Sequence, residues 1–141
     1  GHQIFAASLH HAIIEGDIAR SVVDKVEGEL LTPVGLRSLS PRDPAYVGVY
    51  IGSPFNRDSS YHQGTVWGWL IGPFIEAYRK VHAGEADLEQ RVENMLSAAG
   101  RELSTAGLGQ VSEIFDGDDP HTPRGCPAQA WSVAELLRLL G

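Results

Sequence analysis

Apolar residues recur at helical spacing along most of this chain, and this periodicity constrains the fold more than any other feature. Between residues 17 and 31, the side chains of Ile18, Val22, Val26 and Leu30 follow one another every four positions. That spacing traces one face of a helix, and Asp17 is a favoured residue type at a helix N-cap. We therefore predict a helix over Asp17–Leu31.

Four further segments show the same kind of periodicity. The predicted helices are Gln3–Ile14, His62–His82, Ala86–Thr105 and a last one that begins at Pro127, a residue favoured in the first helical turn. Gly68, Gly72 and Pro73 inside the third pattern predict a kink or a shortened start. A period-two alternation occurs briefly at Tyr46–Ile51 and nowhere else. We therefore predict an all-α fold with about five helices.

Two long segments without helical spacing, residues 35–61 and 107–126, separate these helices. Loops longer than about 12–15 residues are uncommon in compact domains and are usually functional or disordered. These two contain tyrosines, phenylalanines and arginines, which are not typical of disordered linkers, so we predict ordered, functional loops. Helical-hairpin folds use helices in pairs, and the first pattern lacks an N-cap. We expect residues 1–141 to be one portion of a larger domain.

Charge and cysteine content exclude several classes of partner. Eleven Lys and Arg against 18 Asp and Glu give a net charge of −7 without a basic cluster, which argues against nucleic acid binding. No apolar run approaches the roughly 20 residues that span a bilayer, so we predict no membrane segment. The single cysteine, Cys126, cannot form an internal disulfide, which favours a reducing, cytoplasmic location.

The stretch SSYHQGTVWGW, residues 59–69, combines hydrogen-bonding groups with flat apolar rings. Sugar rings require this combination, because polar groups bind their hydroxyls while aromatic faces cover their C–H surface. The residues in question are Tyr61, His62, Gln63, Trp67 and Trp69. The alternative is equally compatible with the spacing: both tryptophans belong to the core, and His62 only begins a helix.

The stretch VSEIFDGDDPHTPRGCPAQAW, residues 111–131, concentrates acidic groups in the second long segment. Glu113 is followed by Ile114 and Phe115, so its carboxylate leaves an apolar stretch and fits a general base in a partly dry cleft. A helix-end or salt-bridge role is the common alternative. The aspartates lack EF-hand spacing, and no HExxH or CxxC motif occurs, so we predict no metal and no cofactor.

Three motifs together resemble a known family. LLTPVGLRSLSPRDPAY, YHQGTVWGWLIGPFIEAY and SEIFDGDDPHTPRGCPAQAWSVAE occur in the order found near the end of the amylo-α-1,6-glucosidase domain of bacterial and archaeal glycogen debranching enzymes. The resemblance covers nearly the whole chain. It implies a six-hairpin α/α barrel of the glucoamylase type, of which this chain would supply only part. One departure is Trp67-Gly68-Trp69 where the family usually has W-P-W, a backbone difference that removes no chemical group.

The resemblance also implies an activity and its residues. Such enzymes hydrolyse α-1,6-linked glucose at branch points with inversion, and the matching position for the general base is Glu113. The general acid would lie on a part of the barrel that this chain lacks, so the chain alone would be inactive. By the same matching, the residues that would line the glucose pocket are Arg37, Tyr61, His62, Gln63 and Trp67. The other candidate substrate-binding residues are Trp69, Asp116, His121 and Arg124. An α-glucan or branched maltooligosaccharide is the expected partner.

Two other functions stay open at this point. The same residues could bind glucan without hydrolysing it, or the chain could belong to a related glucosidase with another linkage preference. An incomplete barrel would expose apolar helix faces, which predicts self-association through the open face.

Overall fold

The computed structural model describes residues 2–105 and 108–140. A short 3₁₀ turn at His2–Ile4 leads into the first of six α-helices. The helices are α1 (Phe5–Ser8), α2 (Gly16–Leu30), α3 (Pro54–Ser60), α4 (Ile71–Val81), α5 (Leu88–Thr105) and α6 (Ala130–Leu140). None of the helices in these ranges is long and apolar enough to cross a membrane.

A five-stranded antiparallel sheet lies among the helices, so the predicted all-α class is wrong. Its strands are β1 (Leu31–Thr32), β2 (Gly35–Arg37), β3 (Val66–Trp67), β4 (Ile114–Phe115) and β5 (Pro123–Arg124), and their order in the sheet follows the chain. The assignment to a barrel of helical hairpins fails with that class, because β2 of the first long loop and β4 of the second both pair with β3 to form one sheet. Each strand has only two or three residues, too few to produce a period-two pattern in the sequence.

Four of the predicted helices are present, with shifted boundaries. The second is confirmed as α2, the fourth as α5, and the last begins at Ala130 rather than Pro127. The third has the shortened start that its glycines and proline predicted: residues 66–67 form β3, residues 68–70 a 3₁₀ turn, and the α-helix begins only at Ile71.

The predicted extent of the first helix, Gln3–Ile14, is wrong. The first helix ends at Ser8 because Leu9 adopts an extended ψ of 151°. The alternation at Tyr46–Ile51 does not form a strand; this segment makes isolated bonds to two neighbouring loops instead, such as Val47 N–H to the Gln63 carbonyl at 2.6 Å.

Helix α3 was not predicted, because only Ser60 of its side chains is buried and no apolar stripe marks it. Its signals are local. The Ser53 side chain accepts the Asn56 N–H at 3.3 Å and Pro54 occupies the first turn, which together cap the helix.

Helix α4 forms the centre of the core. It packs against α1, α2 and α6, and seven of its eleven residues are buried. Helix α2 contributes a face slightly rotated from the predicted stripe: Ala19 and Val23 are buried, whereas Ile18 is 67% exposed. The side chains that are fully buried include Val23, Leu36, Val66, Ile71, Phe74, Ile75, Tyr78, Ile114 and Phe115. The middle of the sheet is thus anchored in the core, which fixes the loops at its ends.

Candidate active site

Glu113 lies immediately before β4 and is held there by hydrogen bonds with Cys126. The Glu113 N–H donates to the Cys126 carbonyl at 2.8 Å, and the Cys126 N–H donates to Oε2 of the Glu113 carboxylate at 2.9 Å. The Tyr61 hydroxyl donates to the other oxygen, Oε1. The side chain is half-buried next to the fully buried Ile114 and Phe115. One carboxylate is therefore oriented by two donors at the edge of the core.

Tyr61 links this carboxylate to a group of aromatic rings. Its ring centroid lies 5.0 Å from that of Trp67, 4.9 Å from that of His62 and 5.9 Å from that of Tyr50. Burial first, and the hydrogen bond to Glu113 second, raise the pKa of Tyr61 well above its usual value. The hydroxyl therefore stays protonated at neutral pH and keeps donating to Glu113.

An aromatic cleft of about 310 Å³ opens beside Tyr61. The rings of His62 and Trp67 are stacked at 5.1 Å with an interplanar angle of 6°, and Trp69 lies 6.2 Å from Trp131. The residues that line the cleft are Ser38, Tyr61, His62, Trp67, Trp69, Leu70 and Trp131. Flat rings with a few polar groups at the edge suit a sugar ring. A larger groove of about 810 Å³ runs along α2, but no aromatic side chain lines it.

Asp116 is the centre of a polar cluster that shapes the turn after β4. Its buried carboxylate accepts two close hydrogen bonds from the Arg124 guanidinium, 2.8 Å from one terminal nitrogen and 3.1 Å from Nε, and a third at 2.8 Å from the Tyr50 N–H. The hydrogen bond to Asp116 raises the pKa of Arg124. His121 Nδ1 lies 3.0 Å from the Asp116 carbonyl. The cluster ties β4, β5 and the first long loop together.

Arg37 and Gln63 also contact the loops rather than the cleft. Arg37 Nε donates to the Gly117 carbonyl at 2.9 Å, while the Gln63 carbonyl accepts the Val47 N–H at 2.6 Å. Gly117 has no room for a side chain, because a Cβ there would meet the Gly64 backbone. These contacts hold the loops around residues 47, 64 and 117 against one another.

The structure thus brings together some of the predicted residues and separates others. Glu113 and Tyr61 are hydrogen-bonded, and Tyr61, His62, Trp67 and Trp69 line one cleft. The predicted residues outside its lining are Arg37, Gln63, Asp116, His121 and Arg124. Their contacts are with the protein itself, and their role in substrate binding stays a prediction.

Two features of the site were not predicted. Trp131 lines the cleft although it is 51% exposed, and the backbone N–H of Cys126 orients Glu113. The signal for Trp131 in the sequence was an isolated tryptophan after a proline-rich turn. A half-exposed ring at the start of a helix is available to a ligand. A backbone donor leaves no signal in the sequence.

Comparison with known proteins agrees on one family. The amylo-alpha-1,6-glucosidase family matches residues 1–138. A glycogen debranching enzyme of Saccharomyces cerevisiae (strain ATCC 204508 / S288c) is 28% identical over 140 residues, an alignment that covers 86% of this chain. The chain spans only 9% of the length of that relative.

Proposed function

This chain belongs to the amylo-alpha-1,6-glucosidase family, and we propose that it forms part of a site that hydrolyses α-1,6-linked glucose at the branch points of an α-glucan. The observation that carries this proposal is the Tyr61–Glu113 hydrogen bond, which joins an oriented carboxylate to an aromatic cleft. Hydrolysis needs a carboxylate fixed in position, and glucose needs flat apolar faces with polar groups at the rim.

Glu113 is the proposed general base. Its two oxygens each accept one hydrogen bond from the protein, and each retains a lone pair for a water molecule. In inverting hydrolysis, the base takes a proton from water while the water oxygen bonds to the anomeric carbon and the bond to the leaving oxygen breaks. A second carboxylic acid, about 6.5–9.5 Å away across the sugar, gives its proton to that leaving oxygen.

We place the general acid outside these 141 residues. No carboxylate is among the described residues that line the cleft, and Glu113 contacts the lining through its hydrogen bond with Tyr61. The chain alone should therefore bind a short branched maltooligosaccharide but release no glucose from it. Glucose release by the purified chain would contradict this assignment of the acid.

The decisive test is Glu113→Gln in a protein that contains both carboxylates. We expect glucose release to fall by about 10²–10⁴-fold, because a general base contributes that much, while calorimetric binding of a branched maltooligosaccharide persists. Asp119→Asn is the matched control, because the Asp119 side chain is 97% exposed. In this variant, both the rate of hydrolysis and the affinity for the branched maltooligosaccharide should stay within twofold of wild type. Unchanged hydrolysis by Glu113→Gln would rule out the base role.

The same assay separates the alternatives. Glucan binding without hydrolysis by the unsubstituted protein would favour a non-catalytic binding domain. The observation in favour of this alternative is that no Asp or Glu is among the described residues that line the cleft. Faster release from linear α-1,4-linked glucan than from branched substrate favours another linkage preference.

A further inference from the structure

Three potential metal ligands meet on the side of the molecule where α2 crosses the end of α4. Asp24 and Glu27 are three residues apart on α2 and therefore lie on the same helix face. His82 follows the last residue of α4. One ligand atom from each of these residues lies within 4.8 Å of the others. None of the three lines the aromatic cleft.

The histidine carries the evidence for a ligand. His82 is only 4% exposed, and its Nε2 is buried without a hydrogen-bond partner. Asp24 Oδ1 lies 3.4 Å from this nitrogen, close enough for attraction but without forming a hydrogen bond. Buried polar atoms in native proteins almost always have a hydrogen-bond partner or a ligand. Nε2 of His82 has no hydrogen-bond partner within the protein, which points to a bound ligand.

The hydrogen bond made by the other ring nitrogen, Nδ1, decides whether Nε2 offers a lone pair to a metal ion. His82 Nδ1 lies 2.9 Å from Glu85 Oε1 and 3.3 Å from a terminal nitrogen of Arg20. In the tautomer in which Nδ1 donates its proton to Glu85, Nε2 carries the lone pair and lies 3.4 Å from Asp24 Oδ1. Metal-bound histidines typically donate their second N–H to a carboxylate in this way. The ring of Tyr78, 4.2 Å from the imidazole, keeps the histidine buried.

We propose that Asp24, Glu27 and His82 bind a divalent transition-metal ion, with Zn²⁺ as the best fit. Imidazole nitrogen and carboxylate oxygen are both ligand types that Zn²⁺ takes in proteins, and water would complete the shell. Two ligands at about 2.0–2.1 Å from a tetrahedral ion lie about 3.3 Å apart, close to the 3.4 Å between His82 Nε2 and Asp24. Asp24 is 51% exposed, which leaves a route for the ion.

This metal joins α2 to α4 and takes no part in the proposed hydrolysis. The competing arrangement is a protonated His82 that forms ion pairs with Asp24 and Glu85 and binds no metal. The Arg20 guanidinium lies 4.0 Å from the Asp24 carboxylate and 2.7 Å from the Glu85 carboxylate. The zinc-bound form requires Arg20 to remain paired with Glu85 and not with Asp24. The two arrangements differ in a measurable way, since only one of them binds zinc.

The test is calorimetric titration of the chelator-treated protein with Zn²⁺ at pH 7.5. We expect one site per chain. Asp24→Asn and Glu27→Gln, both at accessible positions of α2, should each weaken binding at least tenfold, and Glu85→Gln should weaken it by about 10–100-fold through the histidine. The control is His10→Gln/His11→Gln, which removes two exposed histidines and should leave the affinity unchanged.

A second measurement does not depend on a ligand variant that folds. Zinc should shift the NMR signal of His82 Nε2 in the unsubstituted protein and raise its melting temperature. Failure to bind zinc, binding that survives both the Asp24 and Glu27 changes, or binding that is lost with His10 and His11 would each overturn the proposal. None of these results bears on the role of Glu113.

Discussion

Gly125→Ala tests how the fold orients Glu113. Gly125 has a φ of +67°, and a Cβ at this position would lie 2.5 Å from Glu113 Oε2 and 3.1 Å from the Glu113 Cβ. The new methyl group must therefore displace the carboxylate. Displacement breaks the hydrogen bond that Oε2 accepts from the Cys126 N–H.

The expected loss has two components. An alanine in the left-handed region costs about 1–2 kcal/mol relative to glycine, whatever surrounds it. Losing a hydrogen bond to a charged group costs a further 1.5–3 kcal/mol or so. We take the lower end, about 1.5 kcal/mol, because Glu113 is half-buried and water can replace the donor. The free energy of unfolding should fall by about 3 kcal/mol in total.

Gly16→Ala is the matched control. Gly16 has a φ of +58°, and a Cβ there would meet nothing within 4 Å, so this variant carries the backbone cost alone. Urea unfolding should show Gly125→Ala to be about 1.5 kcal/mol less stable than the control. That difference should shrink in a Glu113→Ala background, where the carboxylate is gone. Equal losses in the two glycine variants, or a difference that persists without the carboxylate, would refute the steric explanation.

Two further predictions concern the surroundings of the carboxylate. Asp116→Ala removes the acceptor of the hydrogen bonds from Arg124 and from the Tyr50 N–H. We expect the free energy of unfolding, measured in urea, to fall by about 3 kcal/mol. This is the lower end for a broken buried pair, because Arg124 is 31% exposed and can be partly hydrated. Asp119→Ala, at a 97% exposed side chain, should cost about 0.5 kcal/mol or less, and a similar loss in both variants would contradict the cluster's role. The raised pKa of Tyr61 predicts that stability depends on pH. In the unfolded chain the Tyr61 hydroxyl loses its proton near pH 10, whereas the folded protein keeps it to higher pH. The contribution of Tyr61 to the free energy of unfolding is therefore complete below about pH 10 and is lost as the pH rises further. Between pH 9 and 11, the stability of Tyr61→Phe should fall less steeply than that of wild type, and parallel slopes would count against the raised pKa.

The sequence predicted the helices well where one face meets the core over several turns. Helix α2 is such a case, because a stripe repeated over four turns outweighs local exceptions such as the exposed Ile18. The sheet could not be predicted in the same way. Val66 pairs with Phe115 across a long sequence separation, and a strand of two residues has no periodicity of its own.

The residues of the candidate site were predicted unevenly, for a similar reason. Tyr61, His62, Trp67 and Trp69 occur within nine residues, so their chemistry is visible in one motif. The link from Tyr61 to Glu113 depends on how distant segments pack. Arg124 and Asp116 looked like groups available to a substrate, but in the structure each satisfies the other, because a buried charge needs a partner.

The order of strands in the sheet has a consequence for how the site forms during folding. The hydrogen bonds within helices α2 and α4 join residues close in sequence. Strand β4, in contrast, meets β3 only after the intervening residues, including α4 and α5, have been brought back on themselves. Closing such a long loop costs entropy before any strand contact is gained, so non-local pairing forms late. Glu113 therefore reaches Tyr61 among the last events of folding, and a slow or stalled chain would possess its helices before it possessed its oriented carboxylate.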